Sequence, residues 1–538
     1  MPKTLPLSKS SLQAALVFLV AGVVFFSLQW RNGGFASDLG GDPDEAAHAV
    51  TALMVHDYLW QAPGQSPLGF ATRFYEAFPK VALGHYPPGY YLAGATALSL
   101  GCSPASLIIL QTLLLAALAA AGWHFARRWI TGGDATLALF PPLLLVFHSE
   151  LIRVGCHVLS DLLLVGLVFA AIWAWHAYLR QPSWRGGIAF GFLAAAAILT
   201  KGSALGLAGV PVFTTVLGGR WRDLKHLSWW ASAIPVLFLA GPWMAYSVRF
   251  TQEGFVDQSP AAFFIQALHY YGETLPRIFG WPLLTLLLVS FTRLILDAFK
   301  KNADPTRLVL WAGWLSMQLL VMLVPTGFSP RYALPGLLPG ALLALAELKF
   351  WLDRALPQRQ APLSRPAICL ASALVLLFLT LFALPAVKPK TVSGFSDAVH
   401  RLLKETEASP KGVWLVSSDP RGEGAVIAEA AFRAQNRVSG ALTVHRGSKS
   451  LVETDWLGKD YQSKFTDSRS LLQILDRLRV EAVLVDFSMD PSIVAAHELA
   501  LKEALLSPDS GWSLGWRQRI DRIGGAHGDL WIFRREAK

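Results

Sequence analysis

Eleven apolar runs organise the first 390 residues, at roughly 11–30, 104–126, 135–150, 161–179, 186–200, 203–218, 228–247, 281–299, 307–325, 332–348 and 366–387. They are apolar on every face rather than along one stripe, and most approach the length of roughly 20 residues that carries a helix across a bilayer. A shorter run, YPPGYYLAGATALSLG at 86–101, opens on two prolines and reads as a helix lying in or dipping into the outer interface, with its tyrosines at headgroup level. Beyond about residue 388 the long runs stop and shorter elements alternate. GVWLVSS (412–418) and EAVLVDF (481–487) have the pattern of buried strands, and RSLLQILDRLR (469–479) and PSIVAAHELALKEALL (491–506) have helical periodicity, the latter with Asp490 as N-cap before Pro491. WSLGWRQRI and GDLWIFRRE, joined through glycines, predict a terminal hairpin. The pattern thus predicts a polytopic α-helical membrane region at 1–387, with a structured first outer loop at 31–103, followed by a small α/β domain at 388–538.

Composition supports the membrane reading: of 538 residues, 53% are hydrophobic and only 16% charged. The net charge of +10 does not point to nucleic acid, because the basic residues lie in short clusters between apolar runs. Those clusters set the topology. With the N-terminus inside, the inner loops carry Arg127 with Arg128, Arg180 with Arg185, RWRDLKH at 220–226, KKNADPTR at 300–307 and the basic stretch 349–365. The outer connections then hold only isolated cations such as Arg153, Lys201, Arg249, Arg277 and Arg331. The first run is long and lacks a small-residue cleavage site, so it reads as an uncleaved span. An odd number of spans places 388–538 outside, the expectation for a multi-pass protein of the inner (plasma) membrane. Cys102, Cys156 and Cys369 show no ligand-like spacing.

Sidedness changes the meaning of GDPDEAAHAV (41–50), which sets Asp42, Asp44, Glu45 and His48 just beyond the first span. Alone it could be an acidic helix start or an Asp-Pro-Asp turn. On the same outer side, however, stand His85 in GHYPPGYY, Arg153, His157 and Asp161 in IRVGCHVLSDLLL, Lys201 in AILTKGSALG, and Arg331 with Tyr332 in TGFSPRYALPG. Snorkelling would account for Lys201 or Arg331 singly, and helix capping for Asp161; His157 reads as structural. Together they predict one polar cavity, since ionisable groups at membrane depth face a cavity or a partner. A transporter or flippase of lipid-linked sugars is the main alternative, yet no internal repeat is visible and the charges sit at one surface. An anchored receptor or scaffold would not require such charges.

The ordered set D-E-x-x-H (Asp44, Glu45, His48), H-Y-P-P-x-Y-Y from His85, R-x7-D (Arg153, Asp161), L-T-K-G (Lys201) and P-R-Y-x-L-P (Arg331, Tyr332) resembles the polyprenyl-phosphate-dependent membrane glycosyltransferases. These are the protein O-mannosyltransferase and aminoarabinose transferase superfamily, with the GT-C fold; the likeness covers residues 10–350. It implies Asp44 as catalytic base, Glu45 as its support and Asp161 as a second outward acid. His85 stands where the aminoarabinose transferases carry an acidic-basic pair before proline. The chemistry is consistent: a phosphate leaving group needs no general acid, only a base for the acceptor hydroxyl and cations for the departing charge. Asp44 would supply the first, with inversion. Lys201, Arg331, Arg153 and His85 would supply the second, and His48 and Tyr332 further substrate contacts. The expected partners are a polyprenyl-phosphate-linked sugar, a glycan, lipid or protein acceptor, and membrane lipids, with no nucleic acid. No Rossmann or Walker A fingerprint suggests a nucleotide donor. No cofactor is required; a divalent metal stays open, as does the choice between turn former and second base for Asp42. The outer α/β domain reads either as a carbohydrate or peptide binder or as a cover for the site.

Overall fold

The computed structural model describes residues 9–252, 255, 258–299, 304–325, 327–356, 364–406, 412–434, 437, 440, 442–453, 460–489 and 494–536. Among the described residues, seven helices are long and apolar enough to cross a membrane: Lys9–Arg31 (α1), Pro104–Trp129, Asp161–Arg180, Leu227–Thr251, Trp281–Phe299, Pro305–Leu323 and Pro330–Ala355. The pair Leu137–Phe147 and Ser149–Gly155 is apolar enough as well, but is bent by 54° at its break, the geometry of a broken span or a re-entrant loop. Trp184–Ile198, Gly202–Leu217 and Pro366–Phe382 are shorter apolar helices. Every predicted run therefore carries a helix, and the chain is a multi-pass membrane protein.

Two local departures have physical causes. The third run breaks at His148, whose backbone is extended and whose imidazole Nε2 lies 2.7 Å from the Ile278 carbonyl. A further helix, Pro260–Phe279, occupies what the hydropathy pattern left as a connection; Ser259 caps it by accepting from Ala262 N, and Phe263, Ala267 and Tyr271 bury one face against Val321. It is amphipathic, so its average hydropathy conceals it.

The first loop folds into Glu45–Gln61 (α2), Pro67–Ala77 (α3) and Gly89–Leu98 (α4). Two of the tyrosines expected to face the headgroups, Tyr90 and Tyr91, are turned into the protein instead. Both are fully buried; the Tyr90 hydroxyl accepts from Gln111 at 2.9 Å, and the Tyr91 hydroxyl pairs with His48 Nδ1 at 3.0 Å. Gly94 permits this packing, since a Cβ there would stand 2.8 Å from the Ala52 side chain.

The C-terminal region builds Gly412–Ser417 (β1), Leu442–Arg446 (β2), Val452–Glu453 (β3), Gln462–Ser463 (β4), Ala482–Asp486 (β5), Trp512–Asp521 (β6) and His527–Arg535 (β7). Five form a mixed sheet in the order β2-β1-β5-β7-β6, with β1 parallel to β2 and β5, and β7 antiparallel to both β5 and β6. Helices Ser468–Arg477 and Ala496–Leu506 match the predicted periodicity, whereas the Asp490 cap and Pro491 lie outside the described residues. One face of the sheet buries Leu415, Val483 and Phe533 in a cluster with Leu501 of the helix Ala496–Leu506. The other contributes Trp414, Leu484 and Ile532 to a single core with Val50, Leu53, Phe74 and Phe78 of the first loop. The loop and the terminal domain thus share apolar packing.

Candidate active site

Asp42-Pro43-Asp44 is a tight turn into α2: Asp42 Oδ1 accepts the Asp44 amide at 3.1 Å, and its carbonyl accepts the Glu45 amide at 3.1 Å. Asp44 occupies the N-cap position but makes no side-chain bond to its own helix. Its carboxylate is directed across the site instead, accepting from the Tyr86 hydroxyl at 3.0 Å and from the Arg331 guanidinium.

Arg331, held in a short 3-10 segment between Pro330 and Pro335, is the hub. Besides Asp44 it meets Asp42 Oδ1 at 3.5 Å and Asp161 Oδ2 at 4.0 Å. Asp161, at the first turn of its span, accepts from Lys201 Nζ at 2.8 Å, and the Lys201 ammonium lies 4.9 Å from the centre of the Tyr332 ring. Arg153 reaches Asp42 Oδ2 at 3.9 Å and is gripped by both Glu150 oxygens, at 2.9 and 2.6 Å. These groups come from five separate segments, at one end of the helical bundle. Arg127, Arg128 and Arg180 stand in the last turns of their spans, at the opposite end.

The remaining predicted residues are placed differently. His48 is buried among Tyr86, Tyr90 and Tyr91 rather than exposed beside Asp44. His85 is held edge-on to Phe250, ring centres 6.1 Å apart. Glu45 does not contact Asp44 by its side chain: it turns away to Lys390 Nζ at 2.6 Å, the Gly41 amide at 3.0 Å and the Val158 amide at 3.3 Å. His157 bonds the Arg153 carbonyl at 2.7 Å and packs on Gly41, leaving no room there for a Cβ.

Three further residues take part. Tyr86 stands within H-Y-P-P-x-Y-Y, and Glu150 has the signal of a partner three residues before Arg153 on one helix. Lys390 carried no local signal.

The field on Asp44 is strongly positive. Burial would raise its pKa, but His48, Arg331 and Lys201 outweigh that and hold it at about 2. Burial pushes His48 itself down to about 4, so it is neutral at pH 7 and the field there is that of the two cations. Asp44 is also the most accessible of the three converging carboxylates, with 27% of its side chain exposed against 14% for Asp42 and 2% for Asp161. Among the described residues no three His, Cys, Asp or Glu side chains are grouped as a metal would require.

No protein-family model matches the chain, and no curated protein does. Solved structures match over nearly its whole length. The oligosaccharyltransferase of Archaeoglobus fulgidus, solved with a tethered acceptor peptide, superposes with a TM-score of 0.57 at 13% identity, covering 96% of this chain and 74% of that one. The apo form of ArnT from Cupriavidus metallidurans gives 0.53 at 14% identity, covering 98% of each chain. The Archaeoglobus fulgidus oligosaccharyltransferase AglB, in complex with an inhibitory peptide and a dolichol-phosphate, gives 0.52 at 13%, covering 96% and 74%. The chain therefore has the GT-C fold, as its motif order implied.

Proposed function

We propose that this protein is a membrane glycosyltransferase that moves a sugar from a polyprenyl-phosphate carrier to an acceptor hydroxyl, with inversion, Asp44 acting as general base. The observation that carries this reading is the Arg331 hub, where a cation suited to phosphate is held against an accessible carboxylate. Two Arg331 nitrogens, Nε and Nη1, are buried without a hydrogen-bond partner. A guanidinium so placed offers donors to a phosphate at little further desolvation cost. The solved structures of similar fold support the class, one holding an acceptor peptide and one a dolichol-phosphate.

The donor phosphate competes with Asp44 for Arg331. As the phosphate takes over the guanidinium, Asp44 loses its strongest counter-charge, and a carboxylate with a pKa of about 2 becomes more basic where a base is needed. The acceptor oxygen then bonds to the anomeric carbon as its proton passes to Asp44. The opposite bond, from that carbon to the phosphate oxygen, breaks, and the polyprenyl phosphate leaves with its charge met by Arg331 and Lys201. Asp161 holds Lys201 in place, and Arg153 is the more exposed cation. The bundle end opposite the basic clusters is extracytoplasmic on this reading, so that the site and the α/β domain face away from the nucleotide-sugar supply.

Purified protein presented with a panel of polyprenyl-phosphate sugars and acceptors should release free polyprenyl phosphate. Asp44→Asn should lower that rate by about 10² to 10⁴, the usual contribution of a general base. Wild-type turnover by Asp44→Asn would overturn the assignment.

A further inference from the structure

The turn that carries Asp44 is not held by the membrane helices alone. Residues 32–38 run alongside the start of the C-terminal region: Lys390 N donates to the Asn32 carbonyl at 2.9 Å, Ser37 Oγ to the Lys390 carbonyl at 2.6 Å, and Asp38 N to the Val392 carbonyl at 2.9 Å. Gly33, at φ +79°, passes so close to the Lys390 carbonyl that a side chain would not fit. From this ladder the Lys390 side chain turns inward to Glu45, where the two side chains are 1% and 0% exposed.

Glu45 divides its two oxygens among three anchors. One accepts the Gly41 amide, fixing the start of the Asp42-Pro43-Asp44 turn; the other accepts from Lys390 and from the Val158 amide, three residues ahead of Asp161. One carboxylate thus links the turn bearing Asp44, the approach to Asp161 and the C-terminal region. The tip of the β6–β7 hairpin adds a contact, since Ile523 would lie 3.1 Å from a Cβ at Gly41. A buried ion pair is a poor source of net stability. What this one supplies is direction, because the Lys390 backbone is held by Asn32 and Ser37 and the Glu45 carboxylate by the Gly41 and Val158 amides. Lys390 is 3% exposed and so does not meet a substrate itself.

We propose that Lys390 is a positioning residue for the transfer: through Glu45 it fixes the turn that aims Asp44 at Arg331, so the C-terminal region contributes to turnover without touching substrate. The proposal rests on Asp44 as the base. Displacement of a reacting group by about 1 Å can cost on the order of 10² in rate, whereas donor binding at Arg331 and Lys201 should be left nearly intact.

The test compares kcat and donor KM, read from polyprenyl phosphate release by full-length protein, for Lys390→Met, Lys390→Arg, Glu45→Asp and the double variant Glu45→Gln with Lys390→Met. Melting curves in detergent identify the folded variants. Lys390→Met and Glu45→Asp should lower kcat at least about tenfold with donor KM within about twofold, and Lys390→Arg should recover most of kcat. The double variant, which leaves no unpaired charge, should fold but stay slow. If Lys390→Met does not fold, the double variant and Glu45→Asp decide on the same readings. A folded variant of the pair with wild-type kcat, or a loss carried mainly by KM, would refute positioning. Full turnover by Asp44→Asn would instead refute the base assignment, and a slow Asp44→Asn beside a wild-type-like Lys390→Met would refute positioning alone.

Discussion

At the scale of single residues, the charged positions the sequence exposed are those standing alone in apolar surroundings. Asp161, Lys201 and Arg331 were conspicuous because nothing near them in sequence could neutralise them, and the structure brings them to one another. The resemblance implies Glu45 as support for Asp44, yet successive residues at a helix start point apart, and its ion-pair partner is 345 positions away. Asp38 yields a prediction of its own. Burial and the nearby Glu429 push its pKa up to about 7, against the Ser396 and Phe395 amides and Lys390, which lower it. In the unfolded chain the group ionises near 3.8, so its penalty begins above that pH and grows until about 7. Asp38→Asn keeps an acceptor for the Ser396 amide and loses the titration. It should raise the melting temperature at pH 8 by more than at pH 5; an equal shift at both pH values would contradict the assignment.

At the scale of elements, hydropathy located the spans because each must satisfy a uniform apolar solvent. It failed for Pro260–Phe279, where only one face is apolar; the spacing of Phe263, Ala267, Tyr271, Thr274 and Ile278 and the Ser259-Pro260 start carry the missed signal. At the bundle end opposite the site, three helices are tied through Glu347, which is fully buried. It meets Arg293 at 3.2 Å and Arg307 at 3.7 Å, while Arg307 also meets Asp297 at 3.1 Å. Glu347→Gln leaves these arginines short of a counter-charge and should destabilise the protein by about 3–5 kcal/mol. The folded fraction should keep wild-type kcat, because this network is remote from Arg331. Thermal unfolding paired with the turnover assay separates the two effects.

At the scale of the whole molecule, the prediction that matters is sidedness. The carboxylates and cations of the site lie at one bundle end together with the C-terminal sheet, and the clustered arginines at the other. A reporter fused after Lys538 that is active only outside the cytoplasm should be active. A cytoplasmic C-terminus would place the site on the nucleotide-sugar side and remove the reason for a lipid-linked donor. The first loop and the terminal domain, separate in sequence, share a core in which Val50, Leu53 and Phe78 pack with Trp414 and Ile532. That shared apolar burial holds the first loop and the terminal domain together.

By itself the sequence determined the membrane class, the number of apolar segments, the order of the motifs and the isolated charges, because each follows from local composition or from spacing along one element. Only the tertiary structure decided which charges meet: that Arg331 gathers Asp42, Asp44 and Asp161, that Tyr86 completes the Asp44 site, and that Glu45 belongs to Lys390. Such pairings depend on distances across segments hundreds of residues apart, and Coulomb energy depends on those distances rather than on separation along the chain.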